Sequence, residues 1–549
     1  MDLKTQAGMG LRLLKQYGVR DFYYRFLEWC GFQSRNRRYR QNRSSYFPGG
    51  SELERQRRRQ WKYAPLISIV VPAYETPENF LRQLIDSVLS QTYGNLELCL
   101  ADGSVSDCVE KVASSYKDSR ISYKRLKKNA GISENTNEGF AMAKGEYLAL
   151  LDHDDLITEN ALYEMVKVLN EEEKRPDVIY SDEDKMVGDS TDYCEPYFKS
   201  DYNEELLRRN NYICHFLFFS RKILEKAGGL DGAYDGAQDH EFLLRCKRNG
   251  AVFYHVPKVL YHWRIHPAST SGNPMSKLYA YENGKKAVQD YLKSQNVAAE
   301  VGLTKDLGFY RVKYLRNKKM RVSILAENAA QMEDLKARTV ISKYTDITWQ
   351  YAGEHGNDEI KKLNADYILL ARGGLMPQEE DWLERLLGYA QEKRVGAVSG
   401  AFVNSRQKIL QNGMMVSREG NVYPLFEGLP VTFQGYFRRA ETPGNVSTLA
   451  LDFVLLSRKA WHLAGKFDET LSFPARDVDF FARMRGFGYE AVCAPEVRIL
   501  CGKSHPWDYA IEAGEFQRLR ERWESQWEQG DMAYNRNLCG KNGRFTFIK

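Results

Sequence analysis

The pattern of apolar and polar positions divides the chain into short apolar runs and segments with helical periodicity. The pattern predicts, in chain order, strand 66–72, helix 78–92, strand 96–100, helix 107–117 and strand 121–124. Residues 129–139 are polar and contain glycine, so they are interpreted as a loop that leads into a further helix. Alternation of this kind is typical of an α/β domain with a mostly parallel sheet.

A Leu-rich run at 145–151 predicts the next strand, and it ends in three closely spaced carboxylates. These are Asp152, Asp154 and Asp155. Carboxylates packed so closely repel one another, and a divalent cation relieves the repulsion. Oxygen ligands suit Mg²⁺ or Mn²⁺. The stretch therefore predicts a metal site at a strand end, and an acidic loop without a ligand is the alternative.

Two later stretches also carry candidate chemistry. Asp239 lies just before a helical apolar pattern, where it could act as a general base or simply favour the helix terminus. Residues 261–266 combine His262, Arg264 and His266 with two aromatic residues. Either histidine could complete a metal shell, and Arg264 could hold a phosphate.

Polar residues follow the first two predicted strands as well. Tyr74 and Glu75 come after the first strand, and Asp102 comes after the second. The carboxyl ends of parallel strands converge on one crevice, so these side chains are expected near Asp152. For Asp102, which precedes a glycine, a plain turn is an equally good interpretation.

Length and composition bound the kind of protein. A chain of 549 residues is too long for a single hydrophobic core, so two or three domains are expected. With 43% hydrophobic and 28% charged residues, the composition fits a globular protein. Nine scattered cysteines without a Cys-x-x-Cys pair favour a reducing, cytoplasmic compartment. The sequence shows no signal-peptide pattern and no apolar run near the ~18 residues of a membrane span.

The positive charge is concentrated at the start of the chain. Residues 1–62 hold 15 Lys and Arg against 5 Asp and Glu, while the whole chain has a net charge of +6. Residues 8–30 have roughly helical spacing with many aromatics, and arginine clusters follow them. This segment predicts contact with an anionic membrane surface, and a helix packed on the protein is the alternative. The sequence carries no nucleic-acid fold signature, so no nucleic-acid partner is expected.

Five motifs in a fixed order give the chain a family resemblance. They are Pro72-Ala73-Tyr74-Glu75, Ala101-Asp102-Gly103-Ser104, Asn129-Ala130-Gly131-Ile132 with Asn137, Asp152-His153-Asp154-Asp155, and Gln238-Asp239. Over about residues 66–270 the chain resembles the family 2 glycosyltransferases with the GT-A fold. The stretch 256–264 is similar to members that build bacterial cell-surface polysaccharides, including rhamnosyltransferases.

The resemblance implies an α/β, GT-A type fold and a role for each site residue. Asp239 would be the catalytic base. A nucleoside-diphosphate sugar would be bound by Pro72, Tyr74, Glu75, Asp102, Asn129, Gly131, Asn137, Asp152 and Arg264. A Mn²⁺ or Mg²⁺ ion would be held by Asp154 and His262. The chain departs from the family pattern at Ala101 and Gln238, and neither position carries the proton or the metal in this interpretation.

The second half of the chain repeats the first. Residues 457–468 resemble residues 220–231, and Asp477 pairs with Asp239. In this copy Arg372-Gly373-Gly374-Leu375 stands where the first copy has Asp152 to Asp155. We therefore expect a basic segment at 1–62, a catalytic GT-A domain at 63–305, and a second GT-A-like domain without the Asp-x-Asp at 320–549.

The function expected from this resemblance is an inverting, metal-dependent sugar transfer in cell-surface polysaccharide synthesis. The acceptor would be a saccharide or a lipid-linked molecule, and the protein would be cytoplasmic, with peripheral contact to the inner membrane face as an option. The alternatives are a non-catalytic carbohydrate-binding scaffold and a bifunctional transferase. A nucleotidyltransferase would need a Gly-rich, basic loop after the first strand, which is not found here. The sequence leaves open whether the chain forms a homo-oligomer.

Overall fold

The computed structural model describes residues 19, 23, 26, 28–190, 192–266, 278–353, 356–502 and 507–547. The chain forms two compact units. The first unit comprises Asn36–Tyr202 and Leu207–Val312. The second comprises Met1–Arg35, Asn203–Leu206 and Lys313–Lys549. The division at 312/313 falls between residue 305 and residue 320, and residues 36–62 are grouped with the first unit.

The strands alternate with helices in both units. The strands of the first unit are β1 Ile67–Ala73, β2 Leu96–Asp102, β3 Ile121–Arg125, β4 Tyr147–Leu150, β5 Leu156–Ile157, β6 Val178–Val187, β7 Tyr193–Tyr197, β8 Leu217–Ser220, β9 Phe253–Ile265, β10 Ala299–Leu303 and β11 Tyr310–Tyr314, whose end enters the second unit. Those of the second unit are β12 Met320–Ala326, β13 Thr345–Tyr351, β14 Tyr367–Ala371, β15 Met376–Pro377, β16 Val395–Val403, β17 Ile409–Gln411, β18 Met414–Val416, β19 Val422–Pro424, β20 Gly444–Val446, β21 Phe453–Ser457 and β22 Glu490–Leu500.

The helices lie between these strands. In the first part of the chain they are residues 28–41, Gly50–Arg57, Glu78–Leu89, Cys108–Ser115, Ile132–Met142, Ala161–Glu171, Glu204–Leu207, Arg221–Ala227, Gln238–Arg248 and Leu278–Ser294. In the second part they are Ala329–Ala337, Asn357–Lys362, Trp382–Ala390, Arg458–Leu463, Ala475–Gly486 and Ala513–Gln529. Within the part of the chain described, no helix is long and apolar enough to cross a bilayer. Residues 8–18 of the expected N-terminal helix lie outside the described residues.

The first sheet is built on buried apolar strands, as the sequence predicts. All seven residues of β2 are buried, and six of seven in β1. Its strand order is β3-β2-β1-β4-β8-β6-β9-β5. The pairs from β3 to β4 are parallel, and β8 runs antiparallel between β4 and β6. The carboxyl ends of β1, β2 and β4 therefore lie at one edge of the sheet, together with the amino end of β8.

One element differs from the prediction. Residues 129–139 were expected to form a loop before a helix, but the helix itself is Ile132–Met142. Gly131, with φ of 100°, ends the loop directly before it. A Cβ on Gly139 would lie 2.4 Å from Cγ1 of Val70, so glycine lets this helix approach β1 closely. Close packing on β1 therefore explains why Gly139 lies inside a helix, although glycine in a polar stretch is typical of a loop.

The second sheet repeats the order of the first. Its order is β13-β12-β14-β21-β16-β22-β15, which matches β2-β1-β4-β8-β6-β9-β5 strand for strand. The directions match as well, since β21 runs antiparallel between β14 and β16 and β16 is parallel to β22. The α/β fold with helices beside a mixed, partly parallel sheet is thus confirmed, and its strand order occurs twice in the chain.

Candidate active site

A cavity at the strand-end edge of the first sheet brings three of the predicted site residues together. Pro72, Asp152 and Asp239 all line it. It encloses about 540 Å³ of non-protein space, part of it open to solvent. Pro72 and Asp152 meet because β1 and β4 are parallel neighbours that end at the same edge. Asp239 comes to the cavity from the first turn of helix Gln238–Arg248.

The predicted nucleoside contacts lie on loops beside this edge. The Glu75 carboxylate accepts hydrogen bonds from the amides of Val105 and Ser106 and from the Ser106 hydroxyl. The Ser106 hydroxyl, with these amides, holds the pKa of Glu75 below its ordinary value. Tyr74 is 44% exposed next to it. Glu75 therefore fixes the loop after β2, and Tyr74 remains accessible.

Asp102 is wholly buried at the end of β2. Its Oδ1 accepts from the Ser104 amide at 2.8 Å, and its Oδ2 accepts from the Tyr123 hydroxyl at 2.7 Å. The hydrogen bond from the Ser104 amide is the turn geometry that the sequence analysis gave as the alternative for Asp102. A donor contact by Asp102 stays a prediction.

Asn129, Gly131 and Asn137 shape the next wall. Asn129 Oδ1 accepts from the Gly131 amide at 3.1 Å. Asn137 binds both the amide and the carbonyl of Leu230, which lines the cavity. The two asparagines thus hold the main chain around the cavity. Their contact with a nucleoside-diphosphate sugar stays a prediction.

The Asp-x-Asp turn presents two carboxylates and buries a third. Asp152 lines the cavity, whereas Asp155 is 1% exposed. Asp155 accepts hydrogen bonds from the Tyr261 hydroxyl and the Arg264 amide. Burial, and then the charges of Asp154 and Asp152, raise the pKa of Asp155 well above its ordinary value. Asp155 therefore anchors the turn to β9, while Asp152 faces the site.

Arg264 takes a different place from the phosphate contact that the sequence indicates. The residue is 0% exposed. Its guanidinium donates to the carbonyls of Asp154 and Gly188 and to Gln83 Oε1. A side chain buried with these partners cannot reach a ligand without leaving them, so Arg264 supports the Asp-x-Asp turn from behind.

The two histidines near the end of β9 have different partners. His262, the predicted metal ligand, places Nδ1 against Asp184 Oδ1 and is buried. His266, which the sequence analysis weighed but did not choose, has Nε2 at 2.7 Å from Asp154 Oδ2. The structure therefore brings His266 rather than His262 to the Asp154 carboxylate.

The described residues contain no group of three or more His, Cys, Asp or Glu side chains arranged to hold a metal. Mg²⁺ and similar ions in nucleotide sites are commonly bound by one or two protein ligands, with substrate phosphates and water as the others. Asp154 and His266 are in direct contact, and carboxylate and imidazole suit Mn²⁺, so the pair fits this incomplete ligand set.

Asp239 lies in the first turn of helix Gln238–Arg248. The positive end of the helix dipole favours a carboxylate there. Its Oδ2 accepts from Asn211 Nδ2 and from the Cys214 thiol, both at 2.8 Å. The carboxylate is thus oriented by two donors at the wall of the cavity, which suits a group that takes a proton from a bound hydroxyl.

His215 is a cavity residue that sequence reasoning missed. Its Nε2 lies 3.8 Å from Asp152 Oδ2, and its Nδ1 lies 3.3 Å from Glu183 Oε2. Burial lowers the pKa of His215, but the Glu183 hydrogen bond and the charges of Glu183, Asp152 and Asp155 outweigh it and raise the pKa to about 9. His215 precedes β8, and the amino end of an antiparallel strand shares an edge with the carboxyl ends of parallel ones.

Comparison with known proteins places the chain in a family. Residues 68–228 match the description "Glycosyl transferase family 2". An uncharacterised glycosyltransferase of Rickettsia typhi is 30% identical over 233 residues, which cover 41% of this chain and 71% of that protein. The chain belongs to glycosyltransferase family 2. This family membership and the repeated strand order agree with the expected GT-A type fold.

Two longer relatives match more of this glycosyltransferase. An uncharacterised protein of Sinorhizobium fredii is 29% identical over 89% of the chain and 59% of that protein. An O-antigen biosynthesis protein of Myxococcus xanthus is 26% identical over 79% of the chain and 37% of that protein. The chain thus spans less than two thirds of the length of these two relatives.

Two solved structures are also similar to parts of this glycosyltransferase. S. aureus TarS 1–349 in complex with UDP has 15% identity and a TM-score of 0.33, covering 41% of this chain and 65% of that one. The mannosyltransferase PcManGT from Pyrobaculum calidifontis, in complex with GDP-Man and Mn²⁺, has 16% identity and a TM-score of 0.31, covering 45% and 80%.

In the second unit the corresponding edge has other residues. The strand registers place Arg372 at the position of Asp152, and Asp452 at the position of His215. Asp477, the counterpart of Asp239, is 0% exposed and accepts from the Leu451 amide. Trp507 packs on Phe402 and donates to Asp452 Oδ2 at 2.9 Å. At this edge of the second unit an indole is therefore hydrogen-bonded to the residue that stands at the position of His215.

Proposed function

We propose that the first unit of this glycosyltransferase transfers a sugar, with inversion, from a nucleoside-diphosphate sugar to a saccharide or lipid-linked acceptor in cell-surface polysaccharide synthesis. The observation that carries the proposal is that Asp152 and Asp239 line one cavity, next to Asp154. Separate carboxylates are thereby available for the donor and for the acceptor hydroxyl. The name of the Myxococcus xanthus relative supports the polysaccharide role.

The residues divide the chemistry between the two ends of the cavity. Asp239, held by Asn211 and Cys214, accepts the proton of the acceptor hydroxyl as that oxygen forms its bond to the sugar C1. The bond between C1 and the phosphate oxygen breaks, and its electron pair leaves with the nucleoside diphosphate. Attack from the face opposite the leaving group inverts C1.

The donor end is preorganised by the loops after β1, β2 and β4. In this proposal Tyr74 and the loop fixed by Glu75 contact the nucleoside, and Asp152 contacts the ribose. A Mn²⁺ or Mg²⁺ ion bound through Asp154 and a histidine would neutralise charge on the diphosphate. Arg264 and Asp155 keep the turn that carries Asp154 in place.

The second unit is part of the proposal as a non-transferring copy. Its Asp477 is buried, and a cation replaces the first carboxylate of the Asp-x-Asp. These features disfavour the bifunctional alternative. The cavity with Asp152 and Asp239 disfavours the alternative of a protein that is only a scaffold.

Transfer and hydrolysis assays with UDP-, dTDP- and GDP-sugars test the proposal, with Mn²⁺ and with EDTA. We expect one nucleotide sugar to raise the melting temperature and to be turned over only with the metal. Asp239→Asn should bind the donor without transferring sugar. Asp477→Asn is the matched control and should be as active as the wild type. Full activity of Asp239→Asn would refute the base assignment, and lack of turnover with every donor would refute the function.

A cytoplasmic location with peripheral contact to an anionic membrane is a separate part of the proposal. Val19, Tyr23, Phe26 and Trp29 lie at helical spacing and are about half or more exposed. The arginines that follow are partly neutralised within the first unit, since Arg40 pairs with Asp192 and Arg57 with Glu159. Sedimentation with anionic and with neutral vesicles tests the contact. Absence of binding to either kind of vesicle, or equal binding to both kinds, would argue against it.

A further inference from the structure

His215 has a place in the cavity that the proposed roles do not use. The imidazole stacks on the Tyr261 ring at 4.8 Å with an interplanar angle of 13°. Its Nε2 edge faces Asp152 at 3.8 Å, and its side chain is 23% exposed. The ring is thus fixed by an aromatic face and has one edge accessible to a ligand in the cavity.

A buried ion pair lies behind the other edge of the ring. Glu183 Oε2 lies 3.3 Å from His215 Nδ1 and also accepts the His215 amide. Lys199 Nζ, wholly buried, lies 3.0 Å from the same Glu183 oxygen and donates to the Ile213 carbonyl. A carboxylate behind a histidine orients the ring and favours a proton on both nitrogens. Nε2 is then a hydrogen-bond donor directed into the cavity.

Two cations near this edge, Arg264 and Lys199, are turned away from the cavity. Arg264 is 0% exposed and bonded to main-chain carbonyls and Gln83. Lys199 is enclosed behind Glu183. The cavity lining includes the carboxylates Asp152 and Asp239, so a nearby cation would favour the binding of a diphosphate. His215 is a cation that lines the cavity.

The adjacent residue links His215 to the base. The Cys214 thiol donates to Asp239 Oδ2, while His215 faces Asp152. Two consecutive residues therefore lie between the donor end and the acceptor end of the cavity. The C1–oxygen bond that breaks must lie in this interval.

We propose that His215 is a catalytic residue that donates a hydrogen bond from Nε2 to a phosphate oxygen of the leaving nucleoside diphosphate, which deepens the proposed function and rests on it. As the C1–oxygen bond breaks, its electron pair moves onto the phosphate oxygen. A fixed donor there stabilises charge that exists mainly in the transition state. His215 keeps its proton, and the acceptor proton goes to Asp239.

The second unit supports this assignment because it has lost the whole set. Asp452 stands at the position of His215. Phe402 stands at the position of Glu183, since both are the fifth residue after matching partners of β8 and β21. His215 and Glu183 are thus both replaced in the second unit, which also has Arg372 in place of Asp152.

The test compares His215→Gln with the full-length wild type. Glutamine keeps much of the volume and the main-chain bond to Glu183 but removes the charge. The matched control is His255→Gln, because His255 is buried on the same sheet and bonded to Asp182 and Asp201 outside the cavity. The measurements are kcat and KM for donor turnover, melting temperature, and the dissociation constants of the nucleoside diphosphate and of the bare nucleoside.

For His215→Gln we expect kcat to fall about 100-fold, because a flexible neutral amide replaces a fixed, charged donor, and losing one preorganised donor typically has an effect of this size. Binding of the nucleoside diphosphate should weaken about tenfold, and nucleoside binding should not change. His255→Gln should keep the wild-type kcat. A wild-type kcat in His215→Gln, or equal weakening of nucleoside and diphosphate, would overturn the proposal. If the wild type turns over no nucleotide sugar, the proposed function itself fails, and this outcome is distinct from the others.

Discussion

The Sγ atom of Cys214 lies 2.8 Å from Oδ2 of Asp239, so the thiol points its proton at the proposed base. Asn211 donates to the same oxygen. The two donors fix the direction of the carboxylate, and the same contact changes the chemistry of the thiol. The cavity thus contains a cysteine whose reactivity reports on the charge of its neighbour.

Cys214 should be unreactive towards iodoacetamide at pH 7.5. Burial, and then the negative charge of Asp239, raise its pKa well above the ordinary value. The thiolate is the reactive form, so alkylation should be at least about tenfold slower than for the unfolded chain. Peptide mass spectrometry over time measures the rate. Asp239→Asn removes the charge and should speed the reaction, and an unchanged rate in that variant would contradict the coupling.

Asp477→Asn should stabilise the protein more at neutral than at acidic pH. Burial, with the charge of Asp452, raises the pKa of Asp477 to about 6 from an ordinary 3.8. The folded state therefore binds more protons than the unfolded state between these values, and stability is lost as the pH rises through the window. Relative to wild type the variant should gain up to about 3 kcal/mol between pH 4 and pH 7. Urea unfolding at several pH values measures the free energy of unfolding of the variant and of the wild type. If their difference does not change with pH, the raised pKa of Asp477 is not its cause.

Gly139→Ala should destabilise the first unit by about 1–3 kcal/mol, because the new methyl group would overlap the Val70 side chain. Gly94→Ala is the control, since no atom lies within 4 Å of the added Cβ and φ is not positive. Thermal unfolding of both variants measures the effect. Equal melting temperatures would show that the helix can move away from β1 without cost.

His266→Asn should raise the Mn²⁺ concentration needed for half-maximal turnover by about tenfold. The reason is that His266 Nε2 lies 2.7 Å from the Asp154 carboxylate. His262→Asn is the matched variant, because His262 binds Asp184 instead. Metal titration of the turnover rate distinguishes them. A larger effect at His262 would favour the ligand that the sequence predicts.

The sequence predicts most of the first sheet and part of the site. Apolar runs such as β1 and β2 are unambiguous because buried strands need continuous apolar residues. Pro72 and Asp152 could be placed together because parallel strands end at one edge. Asp239 lies on a helix, and only the family resemblance indicated that it belongs to the same site. His215 could not, since its position depends on β8 running antiparallel, and strand direction is set by long-range pairing.

Arg264 shows a second limit. An arginine beside two histidines in sequence suggests an anion site, but burial decides whether its guanidinium meets a ligand or main-chain carbonyls. Burial at a strand end depends on the neighbouring loops, which a local motif does not describe. The choice between His262 and His266 depends on the same loops.

The repeated sheet also allows the buried charges of the site to be compared with apolar residues at the same positions. At the edge of the first sheet, Glu183 and Asp184 are buried charges. The equivalent positions of the second sheet are Phe402 and Val403, which pack in the core. Buried charge is destabilising compared with apolar packing of similar volume, so the first unit gives up stability for its site. At these two positions the second sheet avoids the cost of buried charge, although the second unit keeps Asp477 as a buried carboxylate elsewhere.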